Sequence, residues 1–264
     1  EHYDGVLCAC VDAPHVAAAV AEWFGLPGLT RAQARLSYDK IEQKKRLASA
    51  KIPIPDFRLF SGSVLIPRFG IVKPCDSRGG RGVARLLPSV DPVWAYEQAK
   101  AQSPTGCVIV EEWLDGPQLN SESILQDGRI LFTALSWRNY ARLDEFAPYV
   151  IEDGLDIIRR NPNLYLQVDT VLETACRALG WGQAGAGMTV KGDLVIHNGQ
   201  IHIIELAARL SGGHYATHTI PLAFGVPFAS YAIRFALGER VESVPVSASH
   251  NVSQRYVFPA PDDV

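Results

Sequence analysis

The segment from Asp193 to Glu205, Asp-Leu-Val-Ile-His-Asn-Gly-Gln-Ile-His-Ile-Ile-Glu, constrains the fold more than any other stretch of the chain. Asn-Gly between two apolar runs is the strongest local signal for a tight antiparallel hairpin, because both central residues of a type I′ turn need a positive φ. The chain must therefore contain an antiparallel sheet, and this hairpin carries an acid near each end. A two-residue loop would set Asp193 opposite Ile204 and turn Glu205 to the other face, leaving the acids unrelated. A three-residue loop, His197-Asn198-Gly199 with Gly199 as the left-handed bulge residue, would pair Asp193 with Ile203 and make Glu205 its diagonal neighbour on one face. Two carboxylates sharing so small an area raise one another's pKa unless a cation lies between them, and a divalent ion is the usual remedy. On pattern alone, a metal pair and two solvated strand-end acids both stay open.

Composition removes several function classes. The 264 residues are 47% hydrophobic and 20% charged, enough for a large core or two domains and unlike a disordered or disulfide-stapled chain. A formal charge of −3 supplies no global field toward nucleic acid or anionic membrane, so neither is an expected partner. Five cysteines match no disulfide framework or zinc spacing, and Cys8-Ala9-Cys10 is too close for the usual ligand pairs, which points to a reducing cytoplasm. No apolar run approaches the roughly 20 residues that span a bilayer. The chain opens at Glu1 without Met and stops at Asp262-Asp263-Val264, and reads as a piece of a longer polypeptide.

Along the chain, Val6 to Val11 has the continuous apolar pattern of a strand buried on both faces of a parallel sheet. A helix from Pro14 to Phe24, stopped by Gly25, completes a βα unit that reads as the end of a doubly wound domain. Between Arg31 and Lys51, Arg31, Arg35, Lys40, Lys44, Lys45, Arg46 and Lys51 face only Asp39 and Glu42, on a helix capped by Ser37. This is either a solvated face or one turned to phosphate. Ile52-Pro53-Ile54-Pro55 forces extended chain. Strands at Phe69–Val72, up to Leu87 and at Val108–Val110, with a helix capped by Asp91 and opened by Pro92, form a compact α+β subdomain. After Gly116 come strands at Ser121–Leu125 and Ile130–Ser136, an irregular stretch from Trp137, and a helix over Tyr165–Leu179 stopped by Gly180, with Val168, Val171, Leu172, Ala175 and Leu179 on one face.

Three further segments carry chemistry. Lys73 to Val83, Lys-Pro-Cys-Asp-Ser-Arg-Gly-Gly-Arg-Gly-Val, lets backbone N–H groups converge on an anion while Lys73 and two arginines supply charge. It is neither a Walker loop nor a dinucleotide fingerprint, since no helix opens behind the glycines, and a plain flexible hairpin tip fits it as well. Glu111-Glu112-Trp113-Leu114-Asp115-Gly116 ends a strand where two subdomains should join, a favoured place for a ligand cleft. Glu205 to His214 sets Arg209 four residues beyond an acid and before a glycine pair; His214 and His218 read as ordinary polar residues.

In order, Asp39-Lys40, Ile52-Pro53-Ile54-Pro55, Lys73-Pro74 with its glycine loop, Glu111-Glu112-Trp113-Leu114 and Asp193…Glu205…Arg209 resemble the ATP-grasp superfamily of carboxylate–amine ligases. The resemblance covers roughly Asp4 to Gly238 and implies an α+β ATP-grasp fold, two subdomains with antiparallel sheets clasping ATP. It assigns residues 1–36 to the end of a doubly wound α/β domain, 37–115 to the lid subdomain with its leading helix, and 116–264 to the central subdomain. It further implies that Lys40 and Lys73 contact ATP phosphates and that the loop Ser77 to Gly82, with Ser77, Gly79, Gly80 and Gly82, folds over them. Glu111 would accept from the adenine amino group, Glu112, Trp113 and Leu114 would form the hinge, and Gln118 would meet the ribose. Asp193 and Glu205 would bind Mg²⁺, Arg209 and Lys73 would act on the transferring group, and Arg138-Asn139-Tyr140 and Ser211 to His214 would face the acceptor.

By this resemblance the chain is an ATP-dependent enzyme that activates a carboxylate as an acyl phosphate and joins it to an amine, with ATP and Mg²⁺ as cofactors, small-molecule partners, and a homodimer among the expected assemblies. A carboxylase-type enzyme using bicarbonate and a non-catalytic nucleotide-binding module are the alternatives. Three positions depart from the family pattern. Gln118 stands where many members carry a ribose-binding Glu, with Glu122 as the alternative ligand; Ala207 stands where many carry a metal-binding Asn; and the segment between Phe57 and Ile71 is short.

Overall fold

The computed structural model describes residues 2–60, 70–159, 161–183 and 185–258, so the expected short segment after Phe57 lies partly outside the described residues. Three helices come first: α1 (Pro14–Phe24), α2 (Arg31–Leu36) and α3 (Lys40–Ser49). Next are β1 (Phe57–Phe60), β2 (Gly70–Pro74), β3 (Ala84–Leu86), α4 (Pro92–Ala101) and β4 (Val108–Glu111). The remainder comprises β5 (Gln118–Gln126), β6 (Arg129–Asn139), β7 (Gly154–Ile157), α5 (Pro162–Leu179), β8 (Gly187–His197), β9 (Gln200–Ala207), a π turn (Tyr215–Thr219), α6 (Ile220–Phe224), α7 (Phe228–Ala236) and β10 (Ser253–Arg255).

The strands form two sheets, one of four in the order β1-β4-β2-β3 and one of six in the order β10-β7-β6-β5-β8-β9, and every described pairing is antiparallel. The small sheet is backed by α4, whose Ala95 and Ala99 pack on Val72, Ala84, Leu86, Val108 and Val110. Along β5, side chains alternate between faces, and Leu119 and Leu125 join Leu135, Leu194, Ile203 and Leu206 against α5. That helix exists because its apolar residues fall on one stripe. Asn161 accepts from the Leu164 N–H at its start, Gly180 closes it in the left-handed region, and Leu164, Val168, Leu172, Ala175, Cys176 and Leu179 are buried. Each large apolar side chain buried this way stabilises the fold by about 1.5–3 kcal/mol. At the far end of the other face, Ile124, Phe132 and Ala134 pack on the π turn, α6 and α7. The near end of that face is left open toward the small sheet.

Four expectations need correction. Val6 to Val11 forms no strand and is mostly exposed, because no described strand lies alongside to pair its backbone groups. The basic stretch is two helices instead of one: Thr30 caps α2 in a reciprocal box with Gln33, Asp39 caps α3 by accepting from the Glu42 N–H, and Ser37 ends α2. Trp137, Arg138 and Asn139 continue β6 instead of starting an irregular stretch. The hairpin loop is the two-residue one, with His197 opposite Gln200, yet the acids still meet, for a reason given below. No described helix is long and apolar enough to cross a membrane.

Candidate active site

A cleft of about 640 Å³ separates the two sheets, and α3 supplies its first cations. Capping by Asp39 fixes the start of α3, where the Lys40 N–H donates to the Cys75 carbonyl at 3.1 Å. The Lys40 ammonium is thereby aimed inward, donating to the Ser77 carbonyl at 2.9 Å and lying 2.9 Å from Glu205 Oε1. Burial opposes its charge, but Glu205 outweighs burial and the Lys40 pKa rises. One helical turn on, Lys44 is only 2% exposed and reaches Glu111 Oε1 at 3.2 Å and the Ile204 carbonyl at 3.1 Å. Burial pulls its pKa down to about 8 against the attraction of Glu111.

On the small sheet, Lys73 of β2 is the diagonal neighbour of Glu111 of β4, two residue pairs along the ladder, since Ile71 is the partner of Glu111 and Lys73 that of Ile109. Their charged ends close at 2.8 Å. The glycine loop that follows is rooted by Asp76, which accepts from Ser103 Oγ at 2.5 Å, the Thr105 N–H at 3.1 Å and Thr105 Oγ1 at 2.6 Å. Ser77, Gly79 and Gly80 line the cleft. Gly82 does not: it sits against α4, where a Cβ would come within 3.1 Å of the Ala99 Cα, so its role is packing.

Glu111, Glu112, Trp113, Leu114 and Gln118 line the junction between the sheets. The Glu112 N–H donates to the Asp56 carbonyl at 2.8 Å, and the Arg85 guanidinium lies 4.3 Å from the Trp113 ring centroid. Gly116 turns the chain from the small sheet to the large one at φ +144, and a Cβ there would fall 2.0 Å from the Ile196 carbonyl oxygen.

The large sheet contributes the acids. With His197 opposite Gln200, regular pairing would put Asp193 opposite Ile204; a bulge between Asp193 and Leu194 shifts the register, so that Leu194 faces Ile203 and Asp193 faces Glu205 directly. Lys191, two residues earlier on the same face, pairs with Asp193 Oδ2, and Arg138 Nη1 lies 3.1 Å from Oδ1. Burial would raise the Asp193 pKa, but Lys191 and Arg138 hold its carboxyl well below the usual range. Glu205 is lowered likewise, burial being outweighed by Lys40, Lys73 and Lys191. Arg138 is held by Glu152, with Nε at 2.9 Å and Nη2 at 2.7 Å, and lies over the Tyr140 ring at 5.4 Å. Arg209 also lines the cleft, its Nε 2.5 Å from Asp12 Oδ1.

No protein-family model matches the sequence, and no curated protein matches it. Solved structures do match. An L-amino acid ligase from Bacillus licheniformis superposes with a TM-score of 0.71 at 19% identity, over 89% of this chain and 56% of that one. A D-alanine–D-alanine ligase from Bacillus anthracis complexed with ATP superposes at 0.61 and 17% identity, over 85% and 74% of the two chains. The biotin carboxylase domain of the Hydrogenobacter thermophilus 2-oxoglutarate carboxylase, solved with MgADP, ADP and bicarbonate, superposes at 0.66 and 18% identity, over 89% and 53%. All are ATP-grasp proteins.

The chain has the ATP-grasp fold. It spans 56% of the amino acid ligase, the first of these structures. Within this ATP-grasp fold, the cleft gathers the expected nucleotide and metal residues except Gly82, and of the expected acceptor stretches it takes Arg138, Tyr140 and Gly212 but not Asn139, Ser211, Gly213 or His214. Glu122 is not a ribose ligand: it is fully buried off the cleft, its Oε1 accepting from the Ser211 N–H at 2.6 Å, and burial raises its pKa to about 7. His214 and His218 meet edge to face at 4.8 Å outside the cleft. Sequence reasoning missed Lys44, Lys191, Asp76, Glu152 and Asp12. Spacing could have found the first two, since Lys44 follows Lys40 by one helical turn and Lys191 shares a strand face with Asp193.

Proposed function

We propose that this cleft binds ATP with Mg²⁺ and that the protein is a ligase, using ATP to activate a small-molecule carboxylate and join it to an amine. The observation that carries the reading is the convergence of Lys40 and Lys73 with the facing acids Asp193 and Glu205 in one cleft beside a glycine loop. Fold likeness alone would not carry it, because one fold hosts many chemistries.

Asp193 and Glu205 would hold the metal. Asp193 Oδ1 is buried and accepts no well-directed hydrogen bond, as suits a metal ligand, and both carboxyls are kept ionised. When bound, Mg²⁺ supplies charge neutralisation on the phosphates. Lys40 and Lys73 would hold phosphate oxygens, with Ser77, Gly79 and Gly80 donating backbone N–H groups from above. Glu111 would accept from the adenine amino group, Glu112 to Leu114 would present hinge backbone, and Gln118 would meet the ribose. A carboxylate oxygen attacks the γ-phosphorus, the bond to the bridging oxygen breaks, and ADP leaves. The amine then attacks the acyl carbon, loses a proton, and expels phosphate as the amide forms. Arg209 would offset charge on the acyl phosphate, and Lys73 charge on the transferring group. Arg138, Tyr140 and Gly212 are the proposed acceptor side.

Calorimetric titration with ADP tests the reading. Micromolar binding that Mg²⁺ strengthens and Lys73→Ala weakens is expected, followed by phosphate release with a matching acid and amine. Phosphate release that needs bicarbonate but no amine would move the reading to a carboxylase-type enzyme, and binding without turnover for any pair would make the protein a nucleotide-binding module.

A further inference from the structure

Lys191 is the cation the nucleotide-binding reading leaves without a task. It precedes Asp193 by two residues on β8, so both side chains emerge on the cleft face. Its partner across the strands is Ala207, whose single methyl leaves room for a long side chain to lie toward the acids. The ammonium rests on Asp193 Oδ2, and its charge also acts on Glu205. Lys40 takes Glu205 Oε1. The other Asp193 oxygen, Oδ1, faces the Arg138 guanidinium at 3.1 Å without a well-directed hydrogen bond. One oxygen from each carboxylate suffices for one divalent ion completed by phosphate and water, whereas two ions side by side need bridging carboxylate oxygens.

Charge argues the same way. Asp193 already carries Lys191 and Arg138, Glu205 carries Lys40, and Arg138 is shared with Glu152, so the negative charge that draws in a divalent ion comes mainly from the nucleotide's phosphates. A second divalent ion would have to settle next to the Lys191 ammonium, which already offsets phosphate charge at that place, so the two would repel.

Resting on the nucleotide-binding reading, we propose that Lys191 serves as a built-in second cation, so that the cleft takes one divalent ion per nucleotide and the Lys191 ammonium occupies the place of another. Lys191 is then a positioning and charge-balancing residue, held over Asp193 by an ion pair and by the space at Ala207.

Equilibrium dialysis of the 264-residue chain with Mn²⁺ and β,γ-imido ATP counts the metal directly, without turnover. The wild-type chain is expected to retain one Mn²⁺ per bound nucleotide. Lys191→Ala is expected to retain two and Lys191→Arg one, with thermal melting confirming that each variant is folded; Lys191→Gln replaces Lys191→Ala if the latter does not fold. Two Mn²⁺ in the wild type, or one in the charge-removing variant, overturns the proposal while leaving the ligase reading intact. Failure of the wild-type chain to retain nucleotide overturns the ligase reading itself, and this proposal with it.

Discussion

Asp193 and Glu205 stand directly opposite one another across β8 and β9, and each is met by a lysine of its own, Lys191 for the first and Lys40, 2.9 Å away, for the second. Two acids this close would ordinarily force one another toward protonation; here the cations reverse the effect, and both pKa values are lowered despite burial. The pair is thus stored in its ionised form, ready for a metal without first releasing protons.

Glu205→Gln and Lys73→Ala are each expected to slow phosphate release by on the order of 10²–10³, because the first removes an acid that would hold the metal and the second removes positive charge from the transferring group. Turnover within a few-fold of wild type in both variants would remove the assignment. Steady-state phosphate assays on chains of matched melting temperature give the answer.

Glu122 couples stability to pH. Its ordinary value of 4.5 is raised to about 7 in the folded chain, so the folded state holds this proton more tightly than the unfolded one. Its contribution is fully present below about pH 4.5 and is lost as pH rises through about 7. The difference between wild type and Glu122→Gln in urea denaturation is therefore expected to change by on the order of 3 kcal/mol across that window, and a pH-independent difference would refute the linkage.

Lys44→Ala should cost about 3 kcal/mol of stability, since it strips a buried ammonium from Glu111 and leaves the Ile204 carbonyl without its donor. Glu111 keeps Lys73, which holds the loss to the lower end of what breaking a buried pair costs. Chemical denaturation measures it directly, and a change below about 0.5 kcal/mol would class Lys44 with ordinary surface lysines.

Gly116→Ala should destabilise by more than about 2 kcal/mol, because the added methyl meets the Ile196 carbonyl oxygen in a backbone region closed to other residues. Gly128→Ala provides the control: its φ is also positive, but nothing lies within 4 Å of the added atom, so only the backbone strain remains. Equal losses in the two would show that the close approach at Gly116 carries no weight.

Local chemistry made much of this protein legible in its sequence. The apolar stripe and Gly180 marked α5, Asp91 and Pro92 marked α4, and Asn198-Gly199 marked the β8–β9 hairpin, since caps, turns and periodicity depend only on near neighbours. Lys40, Lys73, Glu111, Asp193, Glu205 and Arg209 could be named because the short motifs that carry them follow one another in an order that resembles the ATP-grasp superfamily. The meeting of the acids could not be derived that way: the turn alone predicts that they miss, and only the extra residue Ile204, absorbed where β9 bulges against β8, aligns them. Likewise Val6 to Val11 carries a strand's pattern but lacks a described neighbour to pair with, and a strand exists only in a sheet. Sequence by itself determined most of the elements and the identity of the charged groups. Tertiary structure decided which charges touch, because Lys44 with Glu111, Arg138 with Asp193 and Lys40 with Glu205 join residues far apart in the chain, and such pairs form only once two sheets and a helix have packed.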